Sequence, residues 1–319
     1  MIAPLVLLGL LAAAYTRGGG EALAALDRLV LPADPTVHLA FAGDLAMALD
    51  VGKNLSALAA GSAAVEPGYP FAGVTARIAA ADLAIGNLEC VVSPLGAPKP
   101  TAPVTFRAPE LAFGAIQRAG FDVVSVANNH VLDYGPEALD DMVARLDRAG
   151  LPHIGVGRRS VDPELPLIRE IHGLKIGFLG FFDVDVEKAC RDVARARASV
   201  DLVVVFNHWG VEAQVSPLGA QQTFGRALVD AGADLVVGAH AHVLQPEEWY
   251  RGRLIFYGLG NFVFAGMGFD ERHRVGGLLE VDLERRGVVA RRLYRTRLDD
   301  TGAPRWLDET AIAPERVAD

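Results

Sequence analysis

The stretch Asp234-Leu235-Val236-Val237-Gly238-Ala239-His240-Ala241-His242 decides how this chain reads. Its first four residues form an apolar run of strand length, and the two histidines fall just beyond its end. In open α/β sheets that is where ligands bind. The same arrangement recurs upstream. Gly43-Asp44 follows Val37 to Phe41, and Gly86-Asn87-Leu88-Glu89 follows Asp82 to Ile85. Asn128-Asn129-His130 follows Val123 to Val126, and Asn207-His208 follows Val203 to Phe206. Carboxylates, amides and imidazoles from separate strand ends can close on one point, and such a donor set suits a hard or borderline divalent cation. The sequence therefore predicts a metal site.

Outward from these strand ends, the pattern alternates between helix and strand. Pro109-Glu110 to Gly120 and Pro136-Glu137 to Gly150 read as helices that start on proline and stop on glycine. Residues 167 to 182 read as a hairpin turning at His172-Gly173. Helices follow around Glu187 to Ala198 and Pro217 to Ala231. The last third, from Leu254 to Leu298, is strand-rich and predicts a second, more antiparallel sheet. The expected class is α/β, with one domain over residues 36–299, since the candidate ligands spread from residue 44 to residue 242. Residues 300–319 read as a surface tail.

Composition narrows the functions. A formal charge of −9 on 319 residues argues against broad binding to nucleic acid. Two cysteines, Cys90 and Cys190, are too few for a metal framework and read as small buried hydrophobes. Ile2 to Ala14 is apolar but shorter than the roughly 17–25 residues of a membrane span. It suits a signal-peptide core or anchor within residues 1–20, although no Lys or Arg precedes it. An extracytoplasmic chain is expected; the alternative is a cytoplasmic chain with an apolar tail.

The motifs, in order, resemble the CapA family of bacterial capsule and poly-γ-glutamate synthesis proteins, which is similar in turn to the calcineurin-like metallophosphoesterases. The resemblance rests on Phe41-Ala42-Gly43-Asp44, Gly86-Asn87-Leu88-Glu89, Thr105-Phe106-Arg107-Ala108-Pro109 and Ala127-Asn128-Asn129-His130 with Asp133-Tyr134-Gly135. It continues through Asn207-His208-Trp209-Gly210, Gly238-Ala239-His240-Ala241-His242 and Gly258-Leu259-Gly260-Asn261-Phe262. It implies a two-sheet β-sandwich flanked by helices in four α/β/β/α layers. It also implies a role in capsule or polyglutamate synthesis, with an anionic substrate or the polymer itself as ligand and a membrane-bound synthesis complex as partner.

Metallophosphoesterase chemistry needs one or two divalent ions held by carboxylates, imidazoles and amides. Asp44 and Glu89 supply the charge, with Glu89 as the bridge. Asn129, His208 and His240 complete one ion, and His242 joins Asp44 at the other. Manganese, zinc and iron suit these donors equally. By resemblance, His130 is the catalytic group that protonates the leaving group. Arg107, through its planar fork, and Asn87 are the candidate substrate-binding residues.

The superfamily opens with Asp-x-His, and the third position here is Ala46; its second motif carries Asp where Asn87 stands. A non-catalytic, metal-binding component of a polymer synthesis or export assembly is therefore the alternative to a hydrolase. Simpler roles also exist: Glu89 pairing with Arg107, Asp133 capping the helix at Pro136 in preference to orienting His130, and Trp209 and Trp249 packing in the core. His38, lacking companions, reads as structural.

Overall fold

Burial alternates along the strands, and that alternation sorts the chain into layers. The architecture comes from a computed structural model, which describes residues 35–155, 165–268, 270–307 and the backbone of 312–316. The expected N-terminal export segment lies outside the described residues. The first half runs β1 (Val37–Leu45), α1 (Leu49–Ala59), α2 (Thr75–Ile78), β2 (Leu83–Leu88), α3 (Leu111–Arg118), β3 (Val123–Ser125), α4 (Pro136–Ala149) and β4 (His153–Ile154). The second half begins with β5 (Leu167–Ile171), β6 (Leu174–Phe182), α5 (Val186–Arg197), β7 (Leu202–His208), α6 (Gly219–Asp230) and β8 (Leu235–Ala239). It ends with β9 (Leu244–Tyr250), β10 (Arg253–Leu259), β11 (Asn261–Val263), β12 (Val275–Glu284), β13 (Gly287–Leu298), β14 (Pro304–Trp306) and β15 (Ile312–Arg316).

Among the described residues, one sheet has nine strands, ordered β14-β13-β12-β1-β2-β3-β4, with β11 beside β1 and β15 beside β13. The other has six, ordered β5-β6-β7-β8-β10-β9. Successive side chains of a strand point to opposite faces. Leu39 and Phe41 of β1 therefore meet Val204 and Phe206 of β7 and Leu235 and Val237 of β8 in the apolar layer between the sheets. Ala40 and Ala42 face outward onto α1, α3 and α4, whose Val51, Phe113 and Met142 share their cluster. Val203 and Val205 face the opposite way, onto Val193 of α5 and Leu228 of α6. Four layers result, helices outermost, as the family resemblance implied.

Local signals set the helix ends. Pro136 stands in the first turn of α4, and Gly150 closes it at φ 64°, the left-handed region that favours glycine. Asp185 caps α5, its side chain accepting from the Lys188 N–H at 3.0 Å. The hairpin of β5 and β6 forms as expected, antiparallel across His172-Gly173.

Two expectations are corrected. The strands of the last third do not build a sheet of their own. β12 pairs antiparallel with β1, whereas β10 lies parallel to β8 and carries β9 at the edge. Both sheets are mixed, because sequential strands close the open edges left by the parallel units. The tail after Asp299 is also more than a surface segment, since β14 and β15 pair with β13 and Gly302 and Ala303 are buried. Cys90 is buried and unpaired; Cys190 is only partly buried, also unpaired, and donates to the Ala227 carbonyl.

A charged seam pins β1 to β12 and β13. His38 pairs with Asp282 at 2.8 Å, and Arg292 reaches the same carboxylate at 2.9 Å. The hydrogen bond to Asp282 raises the His38 pKa against the opposing effect of burial. A raised histidine contributes stability in full below its ordinary value of about 6.5 and loses it as pH climbs through the folded value. His38→Gln is therefore expected to lower stability in urea by about 1 kcal/mol or less at pH 6 and by nothing measurable at pH 9. Equal losses at both pH values would contradict this.

Candidate metal centre

The polar strand ends converge because alternation puts them on the inter-sheet side. Asn87 has the parity of Leu83 and Ile85, and His208 that of Val204 and Phe206. In β1 the register slips between Ala42 and Asp44, and the Asp44 carboxylate comes to lie against Asn87 and His242. Gly238 allows β8 to pass close to its neighbours: a Cβ there would sit 2.0 Å from the Tyr257 carbonyl oxygen. Past the end of β8 the chain turns sharply, with His240 at φ 92° and His242 at φ 56°. Backbone in this region costs non-glycine residues about 1–3 kcal/mol each and persists where surrounding contacts enforce it, commonly at functional sites.

Two groups of donor atoms result, each with its members within 4.8 Å of one another: Asp44, Glu89 and His208, and Glu89, His240 and His242. Glu89 belongs to both. Asn129 joins through Oδ1, which lies 2.8 Å from His208 Nε2. All six expected ligands are thus brought together. Within these groups His240 falls with His242 on the same turn and His208 with Asp44, while His242 Nδ1 also lies 3.2 Å from Asp44 Oδ2.

The electrostatics call for a cation. Both oxygens of Glu89 are fully buried with no hydrogen-bond partner, and His240 Nδ1 is in the same condition. Burial pushes the Glu89 carboxyl well above its usual range, and the Asp44 charge adds to the effect. Burial opposes Asp44 as well, but the hydrogen bond and charge of His242 and the Asn87 amide hold it low. Burial depresses His208 and His240, keeping both imidazoles in the neutral form that ligates metals. At His242 burial is outweighed by the Glu89 charge and the Asp44 hydrogen bond, which lift it to about 10. Two buried carboxylates, one of them with no hydrogen bond to either oxygen, beside the neutral imidazoles of His208 and His240 fit one or two divalent ions.

Several residues take roles other than those expected. Asn87, expected to bind substrate, is fully buried; its Nδ2 lies 2.8 Å from Asp44 Oδ1 and 3.1 Å from His208 Nδ1, and its Oδ1 accepts from Asn128. It orients ligands. Arg107 donates to the carbonyls of Pro94, Leu95 and Gly96 and lies over the Tyr134 ring, so it staples a loop and does not pair with Glu89. Asp133 does not cap α4, whose N-cap, Gly135, has no side-chain bond. Its Oδ2 accepts from His130 Nδ1 at 2.8 Å and from the Phe106 N–H at 2.7 Å. His130, stacked on Phe106, is thereby fixed with Nε2 4.0 Å from Glu89. Asn261 was not singled out, although it stood within a quoted motif; its Oδ1 lies 2.9 Å from His242 Nδ1. Trp209 packs in the core, donating to the Tyr257 carbonyl. Ala46, at the place of the superfamily's histidine, is buried.

Four layers with donors at the strand ends define a metallophosphoesterase-like fold. A phosphatase from Mycoplasma pneumoniae shares it, with a TM-score of 0.52 and 13% identity over 84% of this chain and 95% of that one. The profile of the bacterial capsule synthesis protein PGA_cap matches residues 38–266, and the chain belongs to that family. It is 33% identical over 220 residues to the capsule biosynthesis protein CapA of Bacillus anthracis, covering 61% of this chain and 54% of the relative. It is 30% identical over 275 residues to a probable polyglutamine synthesis accessory protein of Mycobacterium tuberculosis, covering 72% of each. The chain spans about half the length of the Bacillus relatives it matches.

Proposed function

We propose that this chain is a metal-dependent hydrolase acting on a phosphoester or another anionic bond, such as the amide of a γ-glutamyl polymer, in capsule or polyglutamate synthesis. The observation that carries this reading is Glu89, buried without a hydrogen bond and common to both donor groups. Asp44, Glu89, Asn129, His208, His240 and His242 would hold the ions. Bound there, a divalent ion supplies a Lewis acid for the anionic group and brings water to a usable acidity. His130 supplies the proton for the leaving group from Nε2, because Asp133 holds its Nδ1. The family relationship and the apolar N-terminal sequence support work on a polymer at the outer face of the cell membrane. Among the described residues, no helix is long and apolar enough to cross a membrane.

A second reading, a non-catalytic metal-binding component of a synthesis assembly, is favoured by Ala46, which removes one donor. Elemental analysis after supplementation with manganese, zinc and iron tests the site itself, and finding no bound metal would end both readings. His240→Ala is expected to weaken metal binding more than tenfold, about 1.4 kcal/mol. Hydrolysis of an aryl phosphate that disappears in both His130→Ala and His208→Ala supports the enzyme. Metal binding without turnover of any phosphate or γ-glutamyl substrate supports the assembly component.

A further inference from the structure

Beside the donor groups lies a pocket of about 360 Å³, between Phe182 and Val184 after β6 and the start of α6. His208 and His240 form part of its wall, so the pocket and the metal centre share two imidazoles. Strand parity explains the junction. His208 points between the sheets, while Asn207 has the parity of Val203 and Val205, which face the helices. The rest of the wall is largely apolar: Phe182, Val211, Leu218 and Phe224 line it. Phe182, Val211 and Leu218 are 37%, 48% and 41% exposed, which concentrates large apolar side chains at the mouth of a buried polar centre. Among the described lining residues there is no Lys or Arg, and the one carboxylate is Asp183. Asn207, 1% exposed, has a buried Nδ2 without a partner, which a ligand oxygen at that wall would satisfy.

We infer that this pocket takes an apolar group, aryl or alkyl, of a substrate whose anionic group sits at the metal centre. The inference rests on the hydrolase reading for the word substrate, and on geometry for the pocket. The volume falls in the range of small-molecule sites, and apolar walls with a few polar anchors are their usual lining. A polyanionic chain does not fit this side. Its successive carboxylates would meet Asp183 and apolar walls, losing hydration with no cation to replace it.

The test is calorimetry on the full chain loaded with manganese, using methylphosphonate, octylphosphonate and 1-naphthylmethylphosphonate. The aryl or the alkyl probe, or both, should bind at least about tenfold tighter than methylphosphonate, and which does so identifies the apolar group. In the double variant Val211→Thr with Leu218→Asn, which alters only partly exposed wall residues, that preference should shrink to about twofold with metal content unchanged. Equal affinity for all three probes in the parent, or a preference that survives the double variant, overturns the inference. Turnover of p-nitrophenyl phosphate on the same samples separates the two claims. Turnover without apolar preference removes the pocket and keeps the hydrolase; preference without turnover does the reverse.

Discussion

Glu89→Gln is expected to lower divalent-ion affinity by at least about 100-fold, or 2.7 kcal/mol, and to abolish metal-induced thermal stabilisation. Glu89 belongs to both donor groups, so its loss weakens either ion. For the parent, an ion at about 100 times its Kd adds roughly 2.7 kcal/mol, a rise of about 5 °C in Tm for a domain of this size. Without metal the order reverses. A buried carboxylate with no partner destabilises the fold, and the neutral amide removes that cost, so the variant should melt at or above the parent. The sign with pH follows from the raised folded pKa of Glu89. Its contribution is intact below the ordinary glutamate value of about 4.3 and is lost as pH rises through the folded value. The metal-free parent should therefore fall further behind the variant as pH increases. Scanning calorimetry with and without manganese decides the matter, and a variant that keeps the metal-induced shift would refute the bridging assignment.

His130→Ala is expected to reduce kcat by about 10²–10⁴-fold while metal content stays at the parent level. The imidazole is buried, fixed by Asp133 and stacked on Phe106, and it is absent from both donor groups. Asp133→Asn should cost less, roughly 10–100-fold, because the ring remains but its tautomer is no longer dictated by a carboxylate. Steady-state kinetics on an aryl phosphate, with metal measured in the same samples, checks both. A fall in activity that merely tracks lost metal would remove His130 from proton transfer and leave it a supporting role.

What the sequence made legible was position along the chain, and what it hid was direction. Apolar runs ending in Asp, Asn, Glu or His located β1, β2, β7 and β8 and the ligands at their ends, since periodicity and strand-end placement are local properties. Asp133 stayed open between two roles because an acid three residues beyond a histidine and three before a proline can serve either; a turn geometry that no propensity encodes decided for His130. Asn87 and Arg107 show a related ambiguity. A polar side chain near a site reads the same whether it meets ligand, substrate or a loop carbonyl, and burial separates these cases. The strands of the last third were found individually, but their sheet was not, because pairing partners are chosen by edges that form far away in sequence.

The donors are divided between the two sheets, with Asp44 and Glu89 at the ends of β1 and β2 and the three histidines at the ends of β7 and β8. Any ion taken up there works as a rivet through the sandwich. Removing it should loosen one edge more than the rest. Amide exchange on chelation is then expected to quicken first at the carboxyl ends of these four strands, while the apolar layer around Phe41 and Phe206 keeps its protection.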